Sequence, residues 1–165
     1  MRKENTNLPG ATLLKAAAAV FDRDTVERIL TPAISDMQQE WLEAMMASPP
    51  DQSEDFVISF GGETIGKIGA YRLPGFGYIL SPRYWGIGLG SEAMAAFLEH
   101  YFGRPDATRL TADVDPRNQP SLKLLKRHGF VETGRGTGTW NTHIGPCDSI
   151  YLALEKADYR ALRRG

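Results

Sequence analysis

The stretch "SPRYWGIGLGSEAM", Ser81 to Met94, sets Gly86, Gly88 and Gly90 at alternate positions and then runs directly into a helical pattern. Glycine lets a ligand approach the backbone closely, and the first N–H groups of a helix have no partner within it. With the helix dipole added, the loop and helix start form a site suited to an anion such as phosphate. A glycine-rich turn between a strand and a helix is the other reading, and spacing alone does not separate the two. Two known phosphate signatures can be tested directly. A P-loop needs Lys-Ser or Lys-Thr after its second glycine, whereas Gly90 is followed by Ser91-Glu92. A dinucleotide fingerprint wants Gly-x-Gly-x-x-Gly straight after the strand, with an acid about 20 positions on. Asp113 or Asp115 would supply the acid, but the third glycine comes one place early and Ser81 to Trp85 intervene.

Outward from this loop, "GFGYIL" reads as a strand ending at Leu80. Met94, Phe97, Leu98, Tyr101 and Phe102 repeat at helical spacing after it. Upstream, "DFVISFGGETIGKIGAYR" is two strand-like runs joined by Gly61-Gly62, a hairpin signal. Downstream, residues 108–115 predict a strand. Asn118 reads as the N-cap of a helix reaching about His128, with Pro120 in its first turn and Gly129 at C′. "FVETGRGTGTWN" and "SIYLAL" predict two last strands before a basic tail whose Arg160, Arg163 and Arg164 suit a helix end. Before the hairpin, residues 12–30 read as helical. A second helix starts at Ser35, carries Met37, Trp41, Leu42 and Met45 on one face, and stops at Pro49-Pro50. Helices, then a meander, then β-α-β-α-β-β indicate an α+β or α/β fold with a mixed sheet.

The 165 residues suit one domain, 1–165, with room for a sizeable core. The net charge of −1 gives no reason to expect nucleic acid or a membrane surface as partner. One cysteine, Cys147, cannot close an internal disulfide, which suits a reducing, cytoplasmic setting. Pro9, Gly10 and Lys15 interrupt the N-terminal apolar stretch, so it is not read as a signal peptide. No run approaches the roughly 20 apolar residues of a membrane span. His100, His128 and His143 have no metal-ligand spacing with one another or with Cys147, so no metal is expected. His100 falls on the polar side of its helix and is expected to be solvated, as are Lys123, Lys126 and Arg127. Arg127 is also within plausible reach of a bound phosphate.

"SPRYWGIGLGSEA" followed by "VDPRNQPSLKLLKRHGF" resembles the GNAT superfamily of acyl-CoA-dependent N-acetyltransferases, closest to the branch of ribosomal-protein N-terminal (alanine/serine) acetyltransferases. The resemblance rests on Pro82 to Ala93 and Asn118 to Phe130 and extends over roughly Ser35 to Leu154. It implies an α/β/α layered fold with a mixed, mostly antiparallel central sheet flanked by helices. The cofactor-binding and catalytic core would be 55–154, after a divergent segment, 1–34. It also implies acetyl-CoA as cosubstrate. The family loop Gln/Arg-x-x-Gly-x-Gly/Ala fits Arg83 to Gly88 or Trp85 to Gly90, and the Glu92-Ala93 that follows favours the second. On that register Trp85, Gly86, Ile87, Gly88, Leu89, Gly90 and Ser91 form the pyrophosphate loop, with the backbone N–H groups of Gly86 to Ser91 as donors. Tyr78, Ile79 and Leu80 would lie along the pantetheine arm, whose amides can complete open strand hydrogen bonds. Asn118 would cap its helix and contact pantetheine. Ser121 would either serve the helix start or stand near the cofactor sulfur as proton donor.

Attack of an amine on a thioester needs a neutral amine, hence a base or water relay, and a donor for the developing oxyanion. No covalent enzyme intermediate is required, so Cys147 is read as structural. Many family members carry a tyrosine acid seven residues after the Asn, where this chain has Leu125. Gly75 stands where the branch often has an acid. Asp148, His143, Asp113 and Asp115 are candidate bases, with Asp148 preferred because it precedes a strand beside the expected acceptor cleft; the simpler reading is a turn aspartate. Trp140 is a strand residue that could line that cleft. No strand is convincing in "MRKENTNLPGATLL", so the edge strand the family begins with is expected to be missing or supplied by another chain. An open edge invites a homodimer. The resulting expectation is a transferase moving acetyl from acetyl-CoA to a primary amine: a protein N-terminus, an amino acid, a polyamine or an antibiotic. A non-catalytic acyl-CoA-binding module is the rival.

Overall fold

Gly61 and Gly62, at φ of 58° and 83°, turn strand β3 (Glu54–Phe60) back into β4 (Glu63–Arg72), a turn that L side chains resist. The computed structural model describes residues 6–7, 12–15, 54–142 and 145–165. β5 (Gly75–Leu80) extends the meander, and helix α1 (Leu89–Gly103) crosses over to β6 (Arg109–Val114). Helix α2 (Gln119–Arg127) leads to the ribbon of β7 (Val131–Thr142) and β8 (Gly145–Glu155), and α3 (Lys156–Leu162) closes the chain. Two short strands, β1 (Thr6–Asn7) and β2 (Thr12–Lys15), complete a sheet of order β1-β2-β3-β4-β5-β6-β8-β7. All neighbours are antiparallel except β5 and β6, which the α1 crossover makes parallel. This is the mixed, mostly antiparallel sheet expected.

The sheet's alternation sends one set of side chains to a face covered by helices. Phe56, Ile58, Ile68, Phe76, Leu110, Ala112, Leu152 and Leu154 pack there with Met94, Phe97, Leu98 and Tyr101 of α1 and Leu122 and Leu125 of α2. A bulge between Ile58 and Ser59 leaves Ile65 unpaired on β4 and in the same core. On the opposite face Val57, Lys67 and Ile79 form a buried cross-strand row, so that face is covered too. At Gly66 strands β4 and β5 come so close that a Cβ would overlap the Ile79 carbonyl oxygen.

Four sequence expectations change. Residues 12–15 are strand rather than helix, because Thr12 to Lys15 pair with Ser59 to Phe56. The edge strand is therefore present, supplied by this chain, with β1 outside it. That removes the open β3 edge on which self-association was expected. His100 is partly buried rather than solvated, its ring edge-on to Phe56 at 4.8 Å between centroids. The expected helix from Ser35, the helical reading beyond Lys15, and His143 lie outside the described residues. Among the described residues no helix is long and apolar enough to cross a membrane.

Candidate active site

The site begins where β5 and β6 part. Their ladder is a single register pair, Gly75 with Thr111, beside a Thr111 N–H to Pro74 carbonyl bond of 2.8 Å. Beyond it the strands diverge. Ser81 donates its N–H to the Ile65 carbonyl on β4, and pairing alternates along an antiparallel strand. Tyr78 and Leu80 therefore aim their backbone groups away from β4, into the opening.

The chain then leaves β5 through a 3₁₀ turn, Pro82–Tyr84, with Pro at its start. Trp85 Nε1–H donates to the Leu80 carbonyl at 2.7 Å, tying the loop back to the strand end while the indole stays 52% exposed. Gly86 and Gly88 follow at φ of 76° and 93°, and no heavy atom lies within 4 Å of where a Cβ at either would stand. Gly88 is the N-cap of α1, and no side chain caps it. The N–H groups of Gly86, Ile87, Gly88, Leu89 and Gly90 take part in no turn or cap hydrogen bond, whereas that of Ser91 is bonded to the Gly88 carbonyl at 3.0 Å. Among the described residues no backbone acceptor takes these N–H groups, which leaves a row of open donors at the positive end of a 15-residue helix. Exposed Ile87 (63%) flanks it beside Trp85.

Ser91 uses its hydroxyl for a 2.9 Å bond to His128 Nε2, fastening the first turn of α1 to the C-cap of α2. Burial lowers the His128 pKa and Arg127 lowers it further, so the ring is neutral at neutral pH. The unfolded chain takes up this proton near about 6.5, the folded chain only at lower pH. Between the two the unfolded state binds more protons, so stability falls as pH drops below about 6.5 and levels off below the folded value. The unfolding midpoint should therefore fall more between neutral pH and mild acid in the wild type than in His128→Gln. Equal slopes would remove His128 as the source.

Across the opening, Asn118 caps α2 as expected, its side-chain oxygen accepting the Ser121 N–H at 3.2 Å. The phenol of Tyr78, from β5, hydrogen-bonds Ser121 Oγ. Burial pushes the Tyr78 pKa up to about 12, with the Ser121 bond opposing the rise. The sequence reading took only the Tyr78 backbone. The signal was available, because alternation puts Phe76, Tyr78 and Leu80 on the helix-covered face. The Ser91–His128 bond was likewise missed, and only packing of α1 against α2 reveals it.

The remaining candidates lie elsewhere. Asp148 is exposed on β8, its Oδ1 accepting the Gly138 N–H at 2.8 Å in the bulged part of β7. Asp115 is buried, and burial alone would raise its pKa. The paired hydrogen bonds from Arg117, with Cys147, outweigh this and hold it below the ordinary value. Burial and Asp115 push the Cys147 thiol up, which suits a structural residue. Leu125, at the family's tyrosine position, is 0% exposed within the core. Lys123, Lys126 and Arg127 are exposed as expected. Among the described residues no cluster of His, Cys, Asp and Glu is arranged for a metal.

Residues 11–131 match the family model of the acetyltransferase (GNAT) domain. The chain is 23% identical over 150 residues to an aminoglycoside N(6′)-acetyltransferase type 1 of Serratia marcescens, covering 81% of this chain and 71% of that one. In structure it is similar to the ribosomal-protein-S5-alanine acetyltransferase of Vibrio fischeri, with TM-score 0.69, 18% identity, and 94% and 98% of the two chains covered. It is similar too to mutant forms of the spermidine/spermine N-acetyltransferase SpeG of Vibrio cholerae, with TM-score 0.69, 17% identity, and 94% and 99% covered.

Proposed function

The chain belongs to the GNAT acetyltransferase family, and from that premise we propose that it carries acetyl from acetyl-CoA directly to a primary amine in the cytoplasm. The observation that carries this reading is the row of N–H groups from Gly86 to Gly90 that take no backbone acceptor among the described residues, at the start of α1. That arrangement suits a pyrophosphate, and the parting of β5 from β6 suits the amide-bearing arm attached to it. The N–H groups of Gly86 to Gly90 would hold the pyrophosphate, with Trp85 at the loop's hinge; Ser91, expected among the donors, has its N–H bonded to the Gly88 carbonyl and its hydroxyl to His128. Tyr78, Ile79 and Leu80 would run beside pantetheine, and Asn118 would meet it from the other side. Ser121 would face the sulfur.

The amine nitrogen attacks the thioester carbonyl, the C–N bond forms, and the C–S bond breaks with its electron pair leaving on sulfur. The amine's surplus proton goes to a base or through water to solvent. Asp148 is the proposed base. Asp148→Asn keeps an oxygen for the Gly138 N–H yet cannot take a proton, so kcat should fall about 10²-fold or more. An unchanged kcat would assign Asp148 to the β7 turn alone.

The relatives named above act on an aminoglycoside, a ribosomal protein and polyamines, so the acceptor panel takes one of each: kanamycin, an alanine-started peptide and spermine. Acetyl-CoA consumption with any of them supports the reading. Binding of acetyl-CoA without turnover on any amine would instead favour a binding module. Nucleotide binding by NADH without acetyl-CoA binding would overturn the reading altogether.

A further inference from the structure

The hydrogen bond between Tyr78 and Ser121 joins the two sides of the opening: Tyr78 comes from β5, and Ser121 from the first turn of the helix that follows β6. Three observations define the Ser121 hydroxyl. Its backbone is held by the Asn118 cap. Its oxygen is engaged by Tyr78. Apart from the Tyr78 phenol it has no hydrogen-bond partner among the described residues, so its hydrogen is left without an acceptor when the phenol donates. A hydroxyl offers one donor and two acceptor sites. When the phenol donates into one lone pair, the serine hydrogen must point elsewhere.

The direction of that bond follows from chemistry. A phenol is a stronger donor than an aliphatic alcohol, and the alcohol oxygen is the stronger acceptor. Were the bond reversed, the phenol hydrogen would be left with the Ser121 carbonyl at 3.5 Å, beyond good hydrogen-bond range. We propose that Tyr78 is a positioning residue, whose hydrogen bond to Ser121 Oγ turns the serine hydrogen toward the thioester sulfur as the C–S bond breaks. This rests on the acetyl-transfer reading above. The raised Tyr78 pKa agrees with it: the phenol keeps its proton, and so its donor role, through the neutral and mildly alkaline range.

No proton need leave either residue. The C–N bond forms, the C–S pair settles on sulfur, and the thiolate accepts the Ser121 hydrogen bond until solvent protonates it. A donor aimed at charge that grows only in the transition state lowers the barrier without tightening ground-state binding. The pair thus supplies locally what the absent tyrosine at Leu125 cannot. Leu125 is committed to the core.

The test is a double-mutant cycle on steady-state acetyl transfer with the fastest amine of the panel, each variant checked for its unfolding midpoint. Ser121→Ala should lower kcat about 10²-fold, on the scale of one lost transition-state donor. Tyr78→Phe should lower it about tenfold. In both, KM for acetyl-CoA should stay within about threefold, the pattern of an interaction made only in the transition state. The double variant should be no slower than Ser121→Ala, because Tyr78 acts through that hydroxyl. Additive losses, or a loss confined to KM, would make Tyr78 a packing residue and overturn the proposal. Wild-type kcat in Ser121→Ala would overturn it without reference to Tyr78, should Tyr78→Phe fold poorly. If the wild type binds and consumes acetyl-CoA while Tyr78→Phe matches it, this inference alone falls. If the wild type consumes none with any amine, the acetyl-transfer reading falls and takes the inference with it.

Discussion

Gly88→Trp is expected to weaken acetyl-CoA binding by at least about 100-fold, roughly 3 kcal/mol, while leaving a folded protein. By calorimetry the wild type should bind in the micromolar range, about −8 kcal/mol. Nothing lies within 4 Å of a Cβ built at Gly88, so a side chain can leave the backbone there without a clash at its first atom. The bulk is added within the loop that carries the open N–H groups at the start of α1, where the expected pyrophosphate would sit. The backbone does impose a cost: φ of 93° strains any residue with a Cβ by about 1–3 kcal/mol. Against a stability of about 5–15 kcal/mol, that leaves most molecules folded. Gly88→Ala separates the two effects, because it carries the strain with little bulk. It should lower the unfolding midpoint about as much as Gly88→Trp while keeping most of the affinity. Wild-type affinity in the tryptophan variant would mean that the loop is only a turn.

Phe97→Ala should cost about 3–5 kcal/mol of stability, the range for truncating a buried aromatic. Phe97 is completely buried, stacked on Phe76 at 5.5 Å between centroids, edge-on to Phe56 at 6.1 Å and beside Tyr101 at 6.2 Å. These rings come from β3, β5 and α1, elements held apart by their own backbone bonding, so the cavity closes poorly. Urea unfolding would show the loss as a lower midpoint at unchanged slope. A cost under about 1 kcal/mol would mean that the aromatic layer repacks freely. Ile87→Ala, on the exposed loop, provides the contrast and should change stability by less than about 0.5 kcal/mol. Phe97 also carries the contact between α1 and β5, so its truncation should loosen the loop and weaken acetyl-CoA binding as well.

Local rules carried much of this protein. The Gly61-Gly62 turn, the α1 periodicity, the Asn118 cap with its bonded Ser121 N–H, and the β6 to β8 elements all rest on residues within a few positions of one another. For such features the sequence states both the residues and their geometry. Residues 12–30 read as helical, because Leu13, Leu14, Ala17, Val20 and Phe21 fall on one face of a helix, and only pairing with β3, more than forty residues away, settles Thr12 to Lys15 as strand.

The amino-acid sequence by itself determined the loop, the helix that receives it and the family to which the two motifs point. Each depends on glycine φ, capping and periodicity, which act locally. Only the tertiary structure decided which side chains meet. It brought the Tyr78 phenol to Ser121, 43 positions away, and Ser91 to His128, 37 away. It also committed Leu125 to the core and set the Asp148 carboxylate against the Gly138 N–H of β7. The reason is physical: a hydrogen bond between distant side chains needs two elements packed at a set distance and angle, and the core that packs them is a property of the whole sheet.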